Sequence, residues 1–192
     1  MTQRATVINN FFNEQWQKRL EVFWHVQIHS PIWFTNHDYF PKHLVSGNGV
    51  VMVSMMPSPI DTEIRDYMIE AGYFKRAPVY FTGMLYQGRA SSFTHWHKDT
   101  RLDYTGLVRS GLSIYFNKHW DENWGGWFCW KDNDEDKSAH MICPEYNKGV
   151  LLSDDVLHCT TIVNTHVPEP RFSMQFFFER DALADEYQYT AQ

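Results

Sequence analysis

The sequence predicts a mainly β protein in which N-terminal helices support a barrel or a double-sheet jelly roll. Three observations carry this reading. Two segments before residue 77 show helical periodicity, and short apolar runs, several with two-residue alternation, follow one another after it. Turn residues punctuate those runs: Gly106, Gly111, Gly125, Asn133, Pro144, Gly149, Pro168 and Pro170. Such a series of strands after two helices fits two packed layers around one core.

The first helix is predicted over residues 6–25. Ile8, Phe12, Trp16 and Leu20 recur every fourth residue, with Phe11 and Phe23 on the adjoining face. The second is better punctuated. Ser58 can serve as N-cap, Pro59 suits the first helical position and Asp61 can complete a capping pair. Ile60, Ile64, Tyr67, Met68 and Ala71 supply its apolar face, and Gly72 is a natural stop. Strands are expected over residues 79–86, 93–98, 113–117, 126–130, 149–152, 157–163 and 172–179, with an early one over 48–56. Residues 1–192 read as one domain: supporting helices and an edge strand over 1–76, a β core over 77–180, and a tail over 181–192 that is acidic or forms a short helix.

The chain has 192 residues, 43% of them hydrophobic, enough for a full core. Aromatics reach 17%, and core packing is the default use of such rings. The net charge of −6 and the lack of a basic run argue against a nucleic-acid partner. The densest charge run, residues 131–137, is mainly acidic and reads as a solvated loop. Cys129, Cys143 and Cys159 suggest neither a disulfide framework nor a structural zinc site. The first ten residues lack an apolar signal core and no segment approaches a membrane span, so a cytoplasmic protein is expected, and nothing specifies its oligomeric state.

The informative stretch is His95-Trp96-His97-Lys98-Asp99. On a regular strand His95, His97 and Asp99 share one face. His158, which opens a later strand after a tight turn, is the best candidate for a further ligand. Two histidines and one carboxylate on one face of an octahedron suit non-haem Fe(II), because three adjacent positions stay open for dioxygen and a bidentate co-substrate. Thirteen residues after His158, Arg171-Phe172-Ser173 begins an apolar strand. Arg171 offers a bidentate fork for a carboxylate and Ser173, on the same face, adds a donor. A dicarboxylate could then chelate the metal at one end and be held by Arg171 at the other.

Residues 86–178 resemble the catalytic core of the Fe(II)/2-oxoglutarate-dependent oxygenases, most closely the prolyl-4-hydroxylase-like branch. The motifs are His97-Lys98-Asp99, Ile114-Tyr115-Phe116-Asn117 running into Trp124-Gly125-Gly126, then Gly149, His158 and Arg171-x-Ser173. The resemblance implies a double-stranded β-helix core and a dioxygenase that hydroxylates a small molecule or a peptide side chain while converting 2-oxoglutarate and O2 to succinate and CO2. It implies His97, Asp99 and His158 as Fe(II) ligands and Arg171 as partner of the distal carboxylate. Ser173, Tyr115 and, at a looser spacing, Tyr86 would also contact the co-substrate. A carboxylate at Asp99 speaks against halogenation, where relatives carry a small residue. Many prolyl hydroxylases acting on peptides have Lys in place of Arg171, which leaves the substrate open.

Two other readings compete. His95, His97 and His158 could form a three-histidine site in a cupin-type dioxygenase that does not use 2-oxoglutarate. Alternatively the jelly roll binds a ligand without catalysis. Nucleic-acid demethylation is disfavoured, since relatives of that kind carry a second arginine six residues after the first, where this chain has Phe177. His119, His140 and His166 read as solvated loop residues. Trp96, Trp124, Trp127 and Trp130 read as core, with Trp127 or Trp130 at the pocket mouth if the substrate is apolar. Arg101 and Asp103 are weak candidates for substrate contact.

Overall fold

The N-terminal segment begins as a strand and not as a helix. In the computed structural model, which describes residues 4–30, 33–35, 51–99, 109–153 and 155–187, β1 (Ala5–Ile8) pairs antiparallel with β9 (Gly149–Ser153). Asn10, at φ 53°, turns the chain, and helix α1 runs only over Glu14–Ile28. Its N-cap is Asn13, whose side chain accepts from the Trp16 N–H at 3.0 Å. The four-residue apolar period thus crosses a strand, a turn and a helix. Phe11 and Phe12 are buried in the turn, where Asn147 bonds both the N–H and the carbonyl of Phe12, at 2.8 and 2.9 Å.

The second helix, α2 (Ile60–Glu70), lies where expected and ends before Gly72, at φ 81°. Its start differs from the sequence reading. Pro59 occupies the N-cap position, after a cis Ser58–Pro59 bond, and no side chain caps the first turn. The carbonyls of Pro57 and Pro59 instead accept from Ile60 and Glu63.

The other strands are β2 (Phe34–Thr35), β3 (Val51–Met55), β4 (Phe81–Gly88), β5 (Thr94–His97), β6 (Arg109–Tyr115), β7 (Phe128–Trp130), β8 (His140–Ile142), β10 (His158–Thr160) and β11 (Arg171–Glu179). They form two antiparallel sheets, of seven strands in the order β1-β9-β6-β11-β4-β3-β2 and of four in the order β5-β10-β7-β8. The early strand is β3, residues 48–50 lying outside the described residues, as does Gly106. The strand expected over 126–130 is shortened because Gly125 and Gly126 both have positive φ. The expected tail makes two short 3-10 turns, Arg180–Ala182 and Asp185–Tyr187, and Ala182 and Leu183 bury against the core. Residues 131–137 connect β7 to β8 as a loop.

Alternation along β11 divides the seven-stranded sheet into two faces. Phe172, Met174, Phe176 and Phe178 join Leu112, Ile114 and Leu85 in a core that includes Leu20 and Trp24 of α1 and Ile64 and Met68 of α2. Each fully buried ring there contributes roughly 1.5–3 kcal/mol. The opposite face carries Arg171, Ser173, Gln175 and Phe177, which line a cavity shared with the four-stranded sheet. No helix among the described residues is long and apolar enough to cross a membrane.

Candidate metal centre

Strand pairing brings the three predicted ligands together. His158 on β10 stands opposite His97 on β5, with ring centroids 4.3 Å apart. Asp99 follows the end of β5 and turns its carboxylate between the rings: Oδ1 is 3.6 Å from His97 Nε2, and Oδ2 is 3.5 Å from His158 Nε2. One ligand atom from each residue lies within 4.8 Å of the others. Both imidazoles are oriented alike. His97 Nδ1 is 2.6 Å from the His95 carbonyl and His158 Nδ1 is 2.8 Å from the Val156 carbonyl. A carbonyl only accepts, so each Nδ1 carries hydrogen and each Nε2 lone pair faces the cluster. Burial and the neighbouring His158 push the His97 pKa down, which favours the neutral imidazole a metal needs.

His95 does not join this cluster. β5 ends at His97, so the regular alternation stops before Asp99. The His95 ring is exposed, edge-on to Phe93 with centroids 4.9 Å apart, and only its backbone carbonyl serves the site.

Arg171 is the first residue of β11 and only 7% exposed. Among the described residues no carboxylate pairs with it, and its Nε is buried without a protein hydrogen-bond partner. Tyr115 lies beneath it, with the guanidinium carbon 4.9 Å from the ring centroid. Tyr115 is wholly buried, with the Arg171 guanidinium as its polar neighbour. Burial pushes its pKa up to about 12, against the opposing charge of Arg171. Tyr115 is not among the residues lining the cavity, and it packs against Arg171. Ser173 sits between Tyr115 and Tyr86 in the sheet register, and both Ser173 and Tyr86 do line the cavity.

Two residues quoted in the sequence motifs hold Arg171 in place. Asn117 is buried and donates to the Pro170 carbonyl at 2.8 Å, while its own oxygen accepts from Phe172 N–H at 2.7 Å. It therefore grips the backbone on both sides of Arg171. Gly126, at φ 66°, leaves room for the arginine, since a Cβ there would come within 2.9 Å of Arg171 Cδ. Asn117 follows a strand and the glycine pair follows a tryptophan, but the partner of either lies some fifty residues on, out of reach of local pattern.

The cavity, of about 170 Å³, has the His97–Asp99–His158 cluster on one wall and Arg171, Ser173 and Tyr86 on the other. Neither Trp127 nor Trp130 lines it. Trp127 donates to the Glu122 carbonyl, and Trp130 is buried against Tyr115 and Val156. Trp96 is 41% exposed, contrary to its expected core position, because β5 is a sheet edge, and Lys131 lies over its ring. His119 and His166 are exposed. His140 is on β8, not in a loop, and contacts Asp132 at 2.8 Å. Arg101 and Asp103 lie outside the described residues.

The structure resembles that of a Pseudomonas putida prolyl-4-hydroxylase, with a TM-score of 0.69, 12% identity and 93% of each chain covered. It also resembles a Trichoplax adhaerens prolyl hydroxylase in complex with a hypoxia inducible factor peptide fragment, at TM-score 0.70 and 13% identity, covering 92% of this chain and 83% of that one. A 2OG-Fe(II) oxygenase family oxidoreductase from Burkholderia pseudomallei gives TM-score 0.59 and 15% identity, covering 98% and 89%. At such identities the likeness is one of fold. No curated protein matches the chain. The model of the 2OG-Fe(II) oxygenase superfamily matches residues 82–179, just over half of the sequence and the part that carries every residue of the cluster and of the arginine wall. The chain belongs to the 2OG-Fe(II) oxygenase superfamily.

Proposed function

We propose that this chain is an Fe(II)- and 2-oxoglutarate-dependent hydroxylase of the prolyl-4-hydroxylase-like branch. In this reading residues 1–192 form one domain around a double-stranded β-helix, and the substrate is a small molecule or a peptide side chain. The observation that carries it is Arg171, a buried cation with no carboxylate partner among the described residues, across one cavity from a two-histidine, one-carboxylate cluster. A buried unpaired charge is costly, and a dicarboxylate reaching between the two walls removes that cost.

The donor set suits ferrous iron: two neutral imidazoles offering Nε2 and one carboxylate, on one side of the space between them. Iron and 2-oxoglutarate held there would supply the oxidising power for O2-dependent C–H hydroxylation, with succinate and CO2 released. The protein's own part is positional. His97 and His158, each fixed by a backbone carbonyl, and Asp99 would hold the metal. Arg171 takes the distal carboxylate of 2-oxoglutarate, with Ser173 and Tyr86 as further donors. Tyr115 supports Arg171 from below with a hydroxyl kept protonated, and Phe128 and Val163 help exclude water from the same cavity.

The three-histidine alternative is not favoured, because the His95 ring is outside the cluster. The reading is tested by the melting temperature of purified protein with Fe(II) under anaerobic conditions, with and without 2-oxoglutarate, alongside succinate formation in air. Fe(II) should stabilise wild type but not Asp99→Ala, and 2-oxoglutarate should add to this in wild type but not in Arg171→Met. Equal stabilisation of wild type and Asp99→Ala by Fe(II), or iron binding with no effect of 2-oxoglutarate, would sink it.

A further inference from the structure

We propose that Cys129 and Cys159 are a redox pair, joined by hydrogen peroxide into a reversible disulfide that weakens the metal centre on the other face of the same sheet. The coupling to the metal rests on the proposed reading of that centre.

The pair follows from the register of the four-stranded sheet. β7 and β10 are its two middle strands, and Cys129 stands directly opposite Cys159. The Lys131 N–H donates to the Leu157 carbonyl at 3.0 Å and the Thr161 N–H to the Trp127 carbonyl at 2.9 Å. Hydrogen-bonded positions alternate along an antiparallel ladder, so the cysteines, midway between those bonds, are themselves a hydrogen-bonded pair. The Cα atoms of such a pair stand about 5.5 Å apart, within the roughly 4.4–6.8 Å that a disulfide spans. The side chains also share a face. Phe128, His158 and Thr160 line the cavity, so the alternating Cys129 and Cys159 point away from it. The two free thiols are each other's polar neighbour: hydrogen bonding to Cys159 draws the Cys129 pKa down.

Neither cysteine joins the apolar clusters of the described core. Cys129 has the exposed Met141 across from it on β8, and Cys159 lies against β5, which carries the exposed Trp96. Between these two open flanks the cysteines keep 6% and 8% exposure. A small oxidant thus meets sulfur without entering the cavity.

The chemistry balances with peroxide as the oxidant. One sulfur attacks a peroxide oxygen and breaks the O–O bond, giving a sulfenic acid and water. The other sulfur attacks that sulfenic acid, the S–S bond forms and a second water leaves. Two thiols and one peroxide become one disulfide and two waters, and two electrons pass from sulfur to oxygen. A dithiol reverses the step by exchange and leaves as its own disulfide.

Closure acts on the metal centre mechanically. Facing Cβ atoms lie about 4.5–5.5 Å apart in a ladder and about 3.8 Å apart in a disulfide, so the strands must draw in or rotate by roughly an ångström. β10 can yield, because its register with β5 shifts between His158 and Thr160, at Cys159 itself. His158 is the preceding residue, and its ring stands 4.3 Å from that of His97, centroid to centroid. Sites of this kind tolerate displacements of about 0.5 Å. The disulfide therefore spoils the metal geometry without touching a ligand.

The test uses full-length protein, metal-free and reduced, treated with hydrogen peroxide and then quenched with catalase. Alkylation with iodoacetamide, intact mass and peptide mapping locate the bond, and Mn(II) affinity is read by calorimetry. Wild type should lose two hydrogens, yield a linked Cys129–Cys159 peptide and keep Cys143 open to alkylation. Its Mn(II) affinity should fall at least about tenfold and return with dithiothreitol. Cys129→Ser and Cys159→Ser, checked for folding by melting temperature, should bind Mn(II) as reduced wild type does, before and after peroxide. Three alkylatable cysteines after peroxide, a bond to Cys143, or sulfinic acid in place of the bond overturns the pair. A Cys129–Cys159 bond with unchanged Mn(II) affinity overturns the coupling, and so does an equal loss of affinity in the serine variants. Reduced wild type that fails to bind Mn(II) overturns the metal reading and the coupling with it, while the linked peptide still decides the pair.

Discussion

His97 and His158 face each other across two neighbouring strands, and each donates its Nδ1 hydrogen to the backbone carbonyl two residues before it. The tautomer is thus set by main chain, not by side chains that a substitution could remove. His158→Ala and Asp99→Ala should each lower Fe(II) affinity more than about 100-fold, since even outer-shell partners are worth 10–100-fold. His95→Ala should change it less than about tenfold, because only the His95 carbonyl is used. Metal analysis after equilibrium dialysis checks both, and strong iron loss in His95→Ala would restore the three-histidine reading.

Arg171→Met replaces a buried guanidinium with an apolar chain of similar length. Without ligands the variant should melt no lower than wild type, because an unpaired buried charge is removed. The KM for 2-oxoglutarate should rise by roughly 100-fold or more, as expected when a buried charge pair worth about 3 kcal/mol is lost. Thermal melts and steady-state succinate formation measure the two effects.

Asn117→Ala removes the bonds to Pro170 and from Phe172 and leaves the buried Phe172 N–H without an acceptor. The expected cost is about 2–4 kcal/mol in chemical denaturation. The KM for 2-oxoglutarate should rise while Fe(II) affinity stays within a few-fold, because the ligands sit on other strands.

Gly126→Ala and Gly111→Ala should differ. At Gly126 a Cβ meets Arg171 Cδ at 2.9 Å and the backbone has φ 66°, so about 1–3 kcal/mol of stability and most 2-oxoglutarate affinity should go. At Gly111 the nearest atoms are at 3.7 Å, an ordinary contact, and the melting temperature should barely move.

Tyr73, Tyr115 and Tyr146 all have pKa values pushed up to about 12, in each case mainly by burial. The unfolded chain ionises its tyrosines near 10. Their contribution to stability is therefore complete below pH 10 and is lost as pH rises from about 10 towards 12. Urea midpoints should fall over that interval and not between pH 7 and 9. A phenolate absorbance titration of folded protein should show a group of tyrosines that stays protonated beyond pH 11.

The sheet-rich half of the fold was legible because strand alternation is a local signal. Phe172, Met174, Phe176 and Phe178 announce one buried face, and Arg171, Ser173, Gln175 and Phe177 the other. The N-terminal helix was mislocated because Ile8 and Phe12 keep the helical spacing while their burial comes from β9 and Asn147, over a hundred residues away. The three residues of the cluster were legible through residue chemistry and order. The exclusion of His95 was not, since it depends on where β5 stops. Tyr115 was expected at the co-substrate. The packing of Arg171 over its ring was out of reach of the local pattern.

The two histidines of the cluster belong to the four-stranded sheet, whose strands are only three or four residues long, while Arg171 belongs to a sheet with strands of up to nine. Short strands have few ladder bonds with which to resist local opening. Ordering of the thinner wall and capture of the ion are then two descriptions of one equilibrium. With iron held there as proposed, removing the ion would also loosen the wall that holds it.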